Sequence, residues 1–369
     1  MKIAIFTQSL QCGGAERVTA HLANAWAEMG RDVSIITLAD VASDFYALHP
    51  SIHRIELTLA AESHGIADAL LSNARRVYSL HRVLKQIDVD VVIAMMMGPS
   101  ILTVLASVGL RCRTIISERC YPPSIPVGRV WSMLRRLIYR WADCVVAQTQ
   151  ETREWLQASA GCKRIAVIPN PVVLPLSVAT PILEPAMVLH PGRQLLLAVG
   201  RFGEEKGFDL LLEAFSRIAI ACPAWDLVIL GDGMLRQELE NQRDTLGLSV
   251  RVFFPGAVGN MADWYRRANL FVLSSRSEGF PNVLIEAMAY GCPAVSYDCH
   301  AGPRDIISDG VNGLLVKPAG DVDALARALL ALVTDELERK RMAQNAAVVQ
   351  ERFSMPEILS LWEKVINPE

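Results

Sequence analysis

Short apolar runs alternate with amphipathic segments along this chain, halt at a proline-dense stretch, and then resume. No other feature restricts the fold as much. Apolar runs bounded by turn residues and too short for helices read as buried strands. In the first half they are Lys2–Phe6, Val33–Thr37, a run from Val91, Thr114–Ser117 and Cys144–Ala147. Helical periodicity separates them at Ala15–Met29, Ile66–Gln86 and Gly128–Trp141. After the halt the strands are Gln194–Val199, Asp226–Leu230, Val250–Phe254, Leu270–Leu273 and Ala294–Ser296. Helices follow at Phe208–Ala221, Leu235–Leu246, Met261–Arg267 and Asn282–Tyr290, then two long helices and a short one, Met355–Ile366. Strands alternating with helices imply βαβ units and a parallel sheet.

The halt contains Pro169, Pro171, Pro175, Pro181, Pro185 and Pro191. Proline at this density stops helices and central strands alike, so the stretch is a linker. A length of 369 residues, half of them apolar, suits two domains of about 100–200 residues each. The expected division is 1–175 and 176–352. The fold class is α/β, with two Rossmann-like doubly wound domains facing a central cleft. Ligands of such sheets sit outside the carboxyl ends of the strands, so functional residues belong in the loops that follow strands.

The net charge is −3, which gives no reason to expect nucleic acid as a partner. Residues 1–175 carry 18 Lys and Arg against 14 Asp and Glu, and the remainder 18 against 25. A mildly basic first half suits something anionic. The eight cysteines stand singly, without metal-ligand spacing, as expected of reduced thiols in a cytoplasmic protein. The opening MKIAIFTQSL has no secretory pattern. Val91 to Leu110 is almost wholly apolar and long enough in principle to span a bilayer, but Gly98-Pro99-Ser100 divides it. VVIAMMM then reads as a strand and SILTVLASVGL as a helix capped by Ser100.

Four loops carry candidate chemistry. Gln8 to Arg17 contains Gly13 and Gly14 before a helix, where backbone can approach an anion closely. It lacks the G-x-G-x-x-G spacing of a dinucleotide site and equally suits a tight turn. Gly200 to Gly207 places Arg201 and Lys206 in one loop, able to converge on a diphosphate or simply to be solvated. Gly231 and Gly233 end the strand Asp226–Leu230, where a glycine turn can lie against a nucleotide. The strongest is Ser274 to Asn282 with its helix. Pro281 suits a first helical turn, whose N–H groups can face a phosphate. Glu278 before the helix and Glu286 within it could grip hydroxyls of two sugars. The bland alternatives are a loop carboxylate and surface helix polarity.

Together these loops resemble glycosyltransferase family 4. Its E-x7-E pair corresponds to Glu278 and Glu286 in EGFPNVLIEAMAYGCPAVSY, and the likeness extends to GGAERV, GRFGEEKGFDLLLEAF, LGDG and GPRDIISDGVNGLLV. The resemblance implies the GT-B fold, with residues 353–369 crossing back to the first domain. It implies transfer from a nucleotide-diphosphate sugar with retention of configuration and without a metal or other cofactor. Arg201 and Lys206 would hold the diphosphate and stabilise the leaving group. Gly13 and Gly14 would close over it, and Phe280, Pro281, Asn282 and Val283 would complete the anion site. Glu278 would meet the transferred sugar and Glu286 the ribose. The base would lie near Gly231, Gly233 and Val258. Many relatives carry His where Arg119 stands, so Glu118 and Arg119 become candidates for acceptor or donor-sugar contact. The alternative for Arg119 is a structural ion pair, for instance with Glu118.

The basic helix around Trp131 and Trp141, and the stretch Arg75, Arg76, Arg82 and Lys85, suit an anionic membrane surface. They would also suit a polyprenyl-diphosphate-linked acceptor; apolar core beneath solvated arginines explains them equally well. The resulting expectation is a cytoplasmic enzyme peripheral on the inner face of the membrane, serving polysaccharide, lipopolysaccharide or glycolipid assembly. UDP-linked hexose or N-acetylhexosamine is favoured as donor. The rivals are an epimerase or hydrolase of nucleotide sugars on the same architecture, and a catalytically silent nucleotide-sugar-binding membrane protein.

Overall fold

The computed structural model describes residues 1–61, 65–125 and 127–368. The chain divides into two units, one formed by Met1–Pro171 with Met355–Glu369 and the other by Val172–Ser354. The division thus falls four residues before the expected boundary, inside the proline-dense stretch.

The first unit holds a seven-stranded sheet of β1 (Lys2–Thr7), β2 (Asp32–Thr37), β3 (His53–Glu56), β4 (Val91–Met95), β5 (Arg113–Ser117), β6 (Cys144–Ala147) and β7 (Ile165–Val167). Their spatial order is β3-β2-β1-β4-β5-β6-β7, and all pairings are parallel. Both faces are covered, which is why the central strands read as unbroken apolar runs. Ile3 and Ile5 face the helices Gly14–Glu28 and Met355–Ile366, through Leu22, Trp26 and Trp362. Ala4 and Phe6 face Leu80 and Leu84 of the helix Ile66–Ile87 and Leu102 of the helix Met97–Ala106. The two-residue alternation of a strand sorts them to opposite faces.

The second unit holds β8 (Gln194–Val199), β9 (Trp225–Leu230), β10 (Val252–Gly256), β11 (Leu270–Leu273), β12 (Ala294–Tyr297) and β13 (Gly313–Val316). They lie in the order β10-β9-β8-β11-β12-β13, again all parallel. The helices Phe208–Ile218 and Val322–Thr334 cover one face, and Asn282–Ala289 covers the other.

Three strands and three helices escape the periodicity reading: β3, β7, β13, the helix Gln150–Ala160, capped by Thr149, and the one-turn helices Pro303–Ile306 and Val349–Arg352. β3 and β7 are sheet edges without a fully buried residue, so their sequences lack an apolar run. The expectation of a helix capped by Ser100 is corrected. The helix starts at Met97, after Met96 at φ 75, and runs through Gly98, Pro99 and Ser100. Pro99 is tolerated because it lies in the first turn, where no N–H is needed. Ser100 Oγ donates back to the Met96 carbonyl at 2.6 Å from inside the helix. No helix among the described residues is long and apolar enough to cross a membrane.

Candidate functional site

In the second unit the chain order reverses between β8 and β11, so the loops leaving those adjacent strands share one edge of the sheet. Such a switch point is where an open α/β sheet leaves room for a ligand. The loop after β8 ends at Gly207, at φ +60, where a side chain would collide with the Ser274 carbonyl. Glycine therefore lets the two loops touch, and Ser274 Oγ donates to the Lys206 carbonyl at 2.9 Å. Arg276 ties them further. Its N–H donates to the Glu205 carbonyl at 2.8 Å, and its guanidinium grips both Asp209 oxygens at 2.8 and 2.6 Å.

This stitching brings Lys206 and Glu278 together. Lys206 Nζ lies 2.7 Å from Glu278 Oε1, and Ser275 Oγ donates to the same oxygen at 2.6 Å. The lysine side chain is 20% exposed and the glutamate 9%. Arg201 does not join them: it is 77% exposed and donates to Glu205 Oε1 at 2.9 Å. Arg201 and Lys206 thus share a loop but converge on no common protein group.

The helix Asn282–Ala289 starts directly behind this pair. Pro281 is not in its first turn, as expected, but is the residue before it, its carbonyl accepting from Leu284 N at 3.1 Å. The amides of Asn282 and Val283 precede Leu284 and point out of the helix end, as first-turn amides do. Phe280 is buried against Phe353, ring centroids 5.4 Å apart. Glu286 is not surface polarity: it is buried, and Tyr265 donates to its Oε2 at 3.0 Å. Tyr265 in turn stacks on Tyr290.

At the end of β9, Gly231 has φ +130, and a side chain there would meet the Gly200 carbonyl. Gly233 packs against the Phe202 backbone in the same way. Both glycines are thus accounted for by close approach of the β8 and β9 loops, beside any ligand contact. Val258 is half-buried on the core of this unit.

In the first unit the chain order reverses between β1 and β4. The β1 loop leads through Gly13 and Gly14 into the helix Gly14–Glu28. Tyr46 OH donates to the Gly13 carbonyl at 2.8 Å and accepts from its N–H at 3.1 Å. Burial pushes the Tyr46 phenol up to about 12. After β5 stand Glu118 and Arg119, both buried. They do not pair with each other. Tyr139 OH donates to Glu118 Oε2 at 2.9 Å, while Arg119 donates to Ser117 Oγ at 3.3 Å and to Asn170 Oδ1. Burial raises Glu118 to about 7, against the opposing pull of the Tyr139 hydrogen bond and the Arg135 charge. Burial lowers Arg119 to about 10, with Glu16 among the groups that favour its charge. It remains a cation at neutral pH.

The structure adds residues that sequence reading passed over: Ser275, Arg276 with Asp209, Tyr265, Tyr139 and Asn170. Ser275 and Arg276 were legible as polar neighbours of Glu278. Nothing local marks Tyr265, which reaches Glu286 from 21 positions away.

Residues 184–349 match the family described as glycosyl transferases group 1, and residues 12–174 match glycosyltransferase family 4. A lipopolysaccharide core biosynthesis glycosyltransferase, LpsE of Rhizobium meliloti, is 31% identical over 90% of this chain and 89% of its own. A Campylobacter jejuni enzyme is 29% identical over 99% of this chain and 98% of its own. Its name describes an alpha-1,4-N-acetyl-D-galactosaminyltransferase acting on a diNAcBac-PP-undecaprenol-linked glycan. Among solved structures, HepE of Anabaena in complex with UDP superposes with a TM-score of 0.77 at 21% identity, covering 99% of this chain and 98% of its own.

Proposed function

This chain belongs to the glycosyltransferase family 4 group and is a glycosyltransferase of the GT-B fold, and from that premise we propose its donor, acceptor and mechanism. The donor is a nucleoside-diphosphate sugar, UDP-linked, carrying a hexose or N-acetylhexosamine. The acceptor is a lipid-linked or oligosaccharide chain in surface-glycan assembly, met by an enzyme peripheral on the cytoplasmic face of the membrane. The names of the Campylobacter and Rhizobium relatives and the UDP held by the Anabaena neighbour support this choice.

One observation carries the mechanism: a Lys206–Glu278 pair astride the β8/β11 switch point, beside the amino end of the helix Asn282–Ala289. The helix end and the Lys206 ammonium set fixed positive charge where a diphosphate would gather negative charge as the glycosidic bond breaks. Arg201, exposed at the rim of the same loop, swings from Glu205 onto the diphosphate. Glu278, oriented by Lys206 and Ser275, accepts hydroxyls of the transferred sugar. Glu286, oriented by Tyr265, accepts those of the ribose. Gly13 and Gly14, at the start of the helix Gly14–Glu28, offer backbone to an anion. The leaving phosphate takes the acceptor proton on the face where it departs, which retains configuration without an enzymic nucleophile. Protein cations meet the leaving-group charge, so no divalent metal is required and transfer should persist in EDTA.

A panel of UDP- and GDP-sugars in a thermal-shift assay tests the reading, because a ligand that binds only the folded state raises its melting temperature with occupancy. The expected result is a shift with one UDP-sugar, lost in Glu278→Ala. A shift confined to GDP-sugars would overturn the donor assignment.

A further inference from the structure

From Arg119 to Ala142 the chain contains no Asp or Glu, and its helix Arg129–Ile138 with the following turn Tyr139–Trp141 is amphipathic in an unusual sense. The inner face is already occupied. Ile138 and Tyr139 are buried, and Arg135 lies over the Trp155 ring at 4.7 Å. The outer face should then be polar throughout, but it is not. Val130 is 63% exposed, Met133 53%, Leu137 44% and Trp141 64%. Arg129, Arg136 and Arg140 are exposed beside them.

The spacing segregates the two kinds. Within the helix, at about 100° per residue, Arg129 and Arg136 fall about 20° apart and Met133, Leu137 and Val130 fill the adjoining arc of about 60°, with Arg140 and Trp141 following in the turn. None of the three arginines pairs with a carboxylate among the described residues. Four large apolar side chains next to an uncompensated cationic strip match the boundary of an anionic leaflet, where apolar groups enter the acyl region and guanidinium groups meet phosphates. A second basic helix, Ile66–Ile87, covers the same face of the sheet and exposes Leu70, Leu71 and Tyr78 with Arg75, Arg82 and Lys85.

We infer that the outer face of Arg129–Trp141 is the membrane-docking surface, occupied by an anionic phospholipid bilayer. This rests on the reading of a lipid-linked acceptor. It adds where the bilayer sits: against the segment that begins in the Glu118–Arg119 loop at the carboxyl end of β5. An isoprenoid acceptor could then stay in the leaflet while its polar head reaches that loop.

The test is co-sedimentation of the full chain with vesicles of phosphatidylethanolamine containing about 30% phosphatidylglycerol, and with phosphatidylcholine vesicles, at physiological ionic strength. Two variants are compared, Leu137→Ser/Trp141→Ser and Arg129→Gln/Arg136→Gln/Arg140→Gln. All five positions are exposed, and the donor-induced thermal shift reports whether each variant keeps its donor site. The wild type should bind the anionic vesicles and hardly bind phosphatidylcholine. The arginine variant should partition roughly a hundredfold more weakly, at about fivefold per arginine lost. The leucine–tryptophan variant should lose binding while keeping its donor shift. Undiminished binding by either variant, no binding by the wild type, or a wild-type dimer that the leucine–tryptophan variant dissociates would overturn the assignment. The donor shift belongs to the other unit, so its loss would count against the donor site and not against this surface.

Discussion

Lys206 and Glu278 hold each other at 2.7 Å with little water around either, so structural and catalytic roles must be separated by experiment. Lys206→Met leaves a mostly buried carboxylate with Ser275 as its remaining donor, which should cost about 1–3 kcal/mol of stability. It should also cut kcat at least about a hundredfold, by removing a cation aimed at the leaving group. Lys206→Met/Glu278→Gln removes both charges and should regain most of that stability without regaining turnover. Chemical denaturation and steady-state kinetics on the three proteins check this, and recovered activity in the double variant would make the pair structural. Glu118 offers a pH test. Burial raises its carboxyl to about 7 in the folded state from an ordinary value of 4.5. Between those values the unfolded chain ionises while the folded one stays protonated, so stability should fall as pH rises through this window. Glu118→Gln keeps an acceptor for Tyr139 OH and has no proton to lose. Melting curves from pH 5 to pH 8 should therefore show the variant losing less stability than the wild type.

At the scale of elements, the site depends on two loops being sewn together, and Arg276 is the thread. Its pair with Asp209 is about 40% exposed on each side, so solvent screening leaves it worth about 1 kcal/mol or less. Its hydrogen bond to the Glu204 carbonyl nevertheless fixes the loop that carries Lys206. Arg276→Ala should raise the donor KM several-fold with little change in melting temperature, read by kinetics and thermal shift together. Central strands and their loops were legible because burial on both faces writes an unbroken apolar run, and because Glu278 and Glu286 sit on a short local spacing. β3 and β7 were not, being half-covered edges. The helix start at Met97 was obscured by Gly98 and Pro99, which suggest a break but are harmless in a first turn. The partnerships of Glu286 with Tyr265 and of Arg119 with Asn170 join positions 21 and 51 apart, which no local pattern announces.

At the scale of the molecule, the first unit is built from both ends of the chain. Trp362 is buried edge-on against Trp26, ring centroids 5.9 Å apart, in a core with Leu22, Ile3 and Ile5. Arg113 Nε donates to the Val365 carbonyl at 2.9 Å, and Arg31 reaches Glu363 at 3.1 Å. The last helix is therefore part of the first core although it follows the second unit in sequence. Trp362→Ala empties a large volume there and should cost about 3–5 kcal/mol. The second unit has its own core and carries Lys206, Glu278, Glu286 and the helix Asn282–Ala289. Scanning calorimetry should then resolve two effects. Trp362→Ala should lower the transition of the first unit by several degrees or more, because each kcal/mol moves a domain of this size by roughly 2–4 °C. A UDP-sugar should still raise the transition of the second unit in that variant. If Trp362→Ala abolished the ligand-induced shift as well, the second unit would not bind the donor without an intact first unit, and the donor site could not be assigned to it alone.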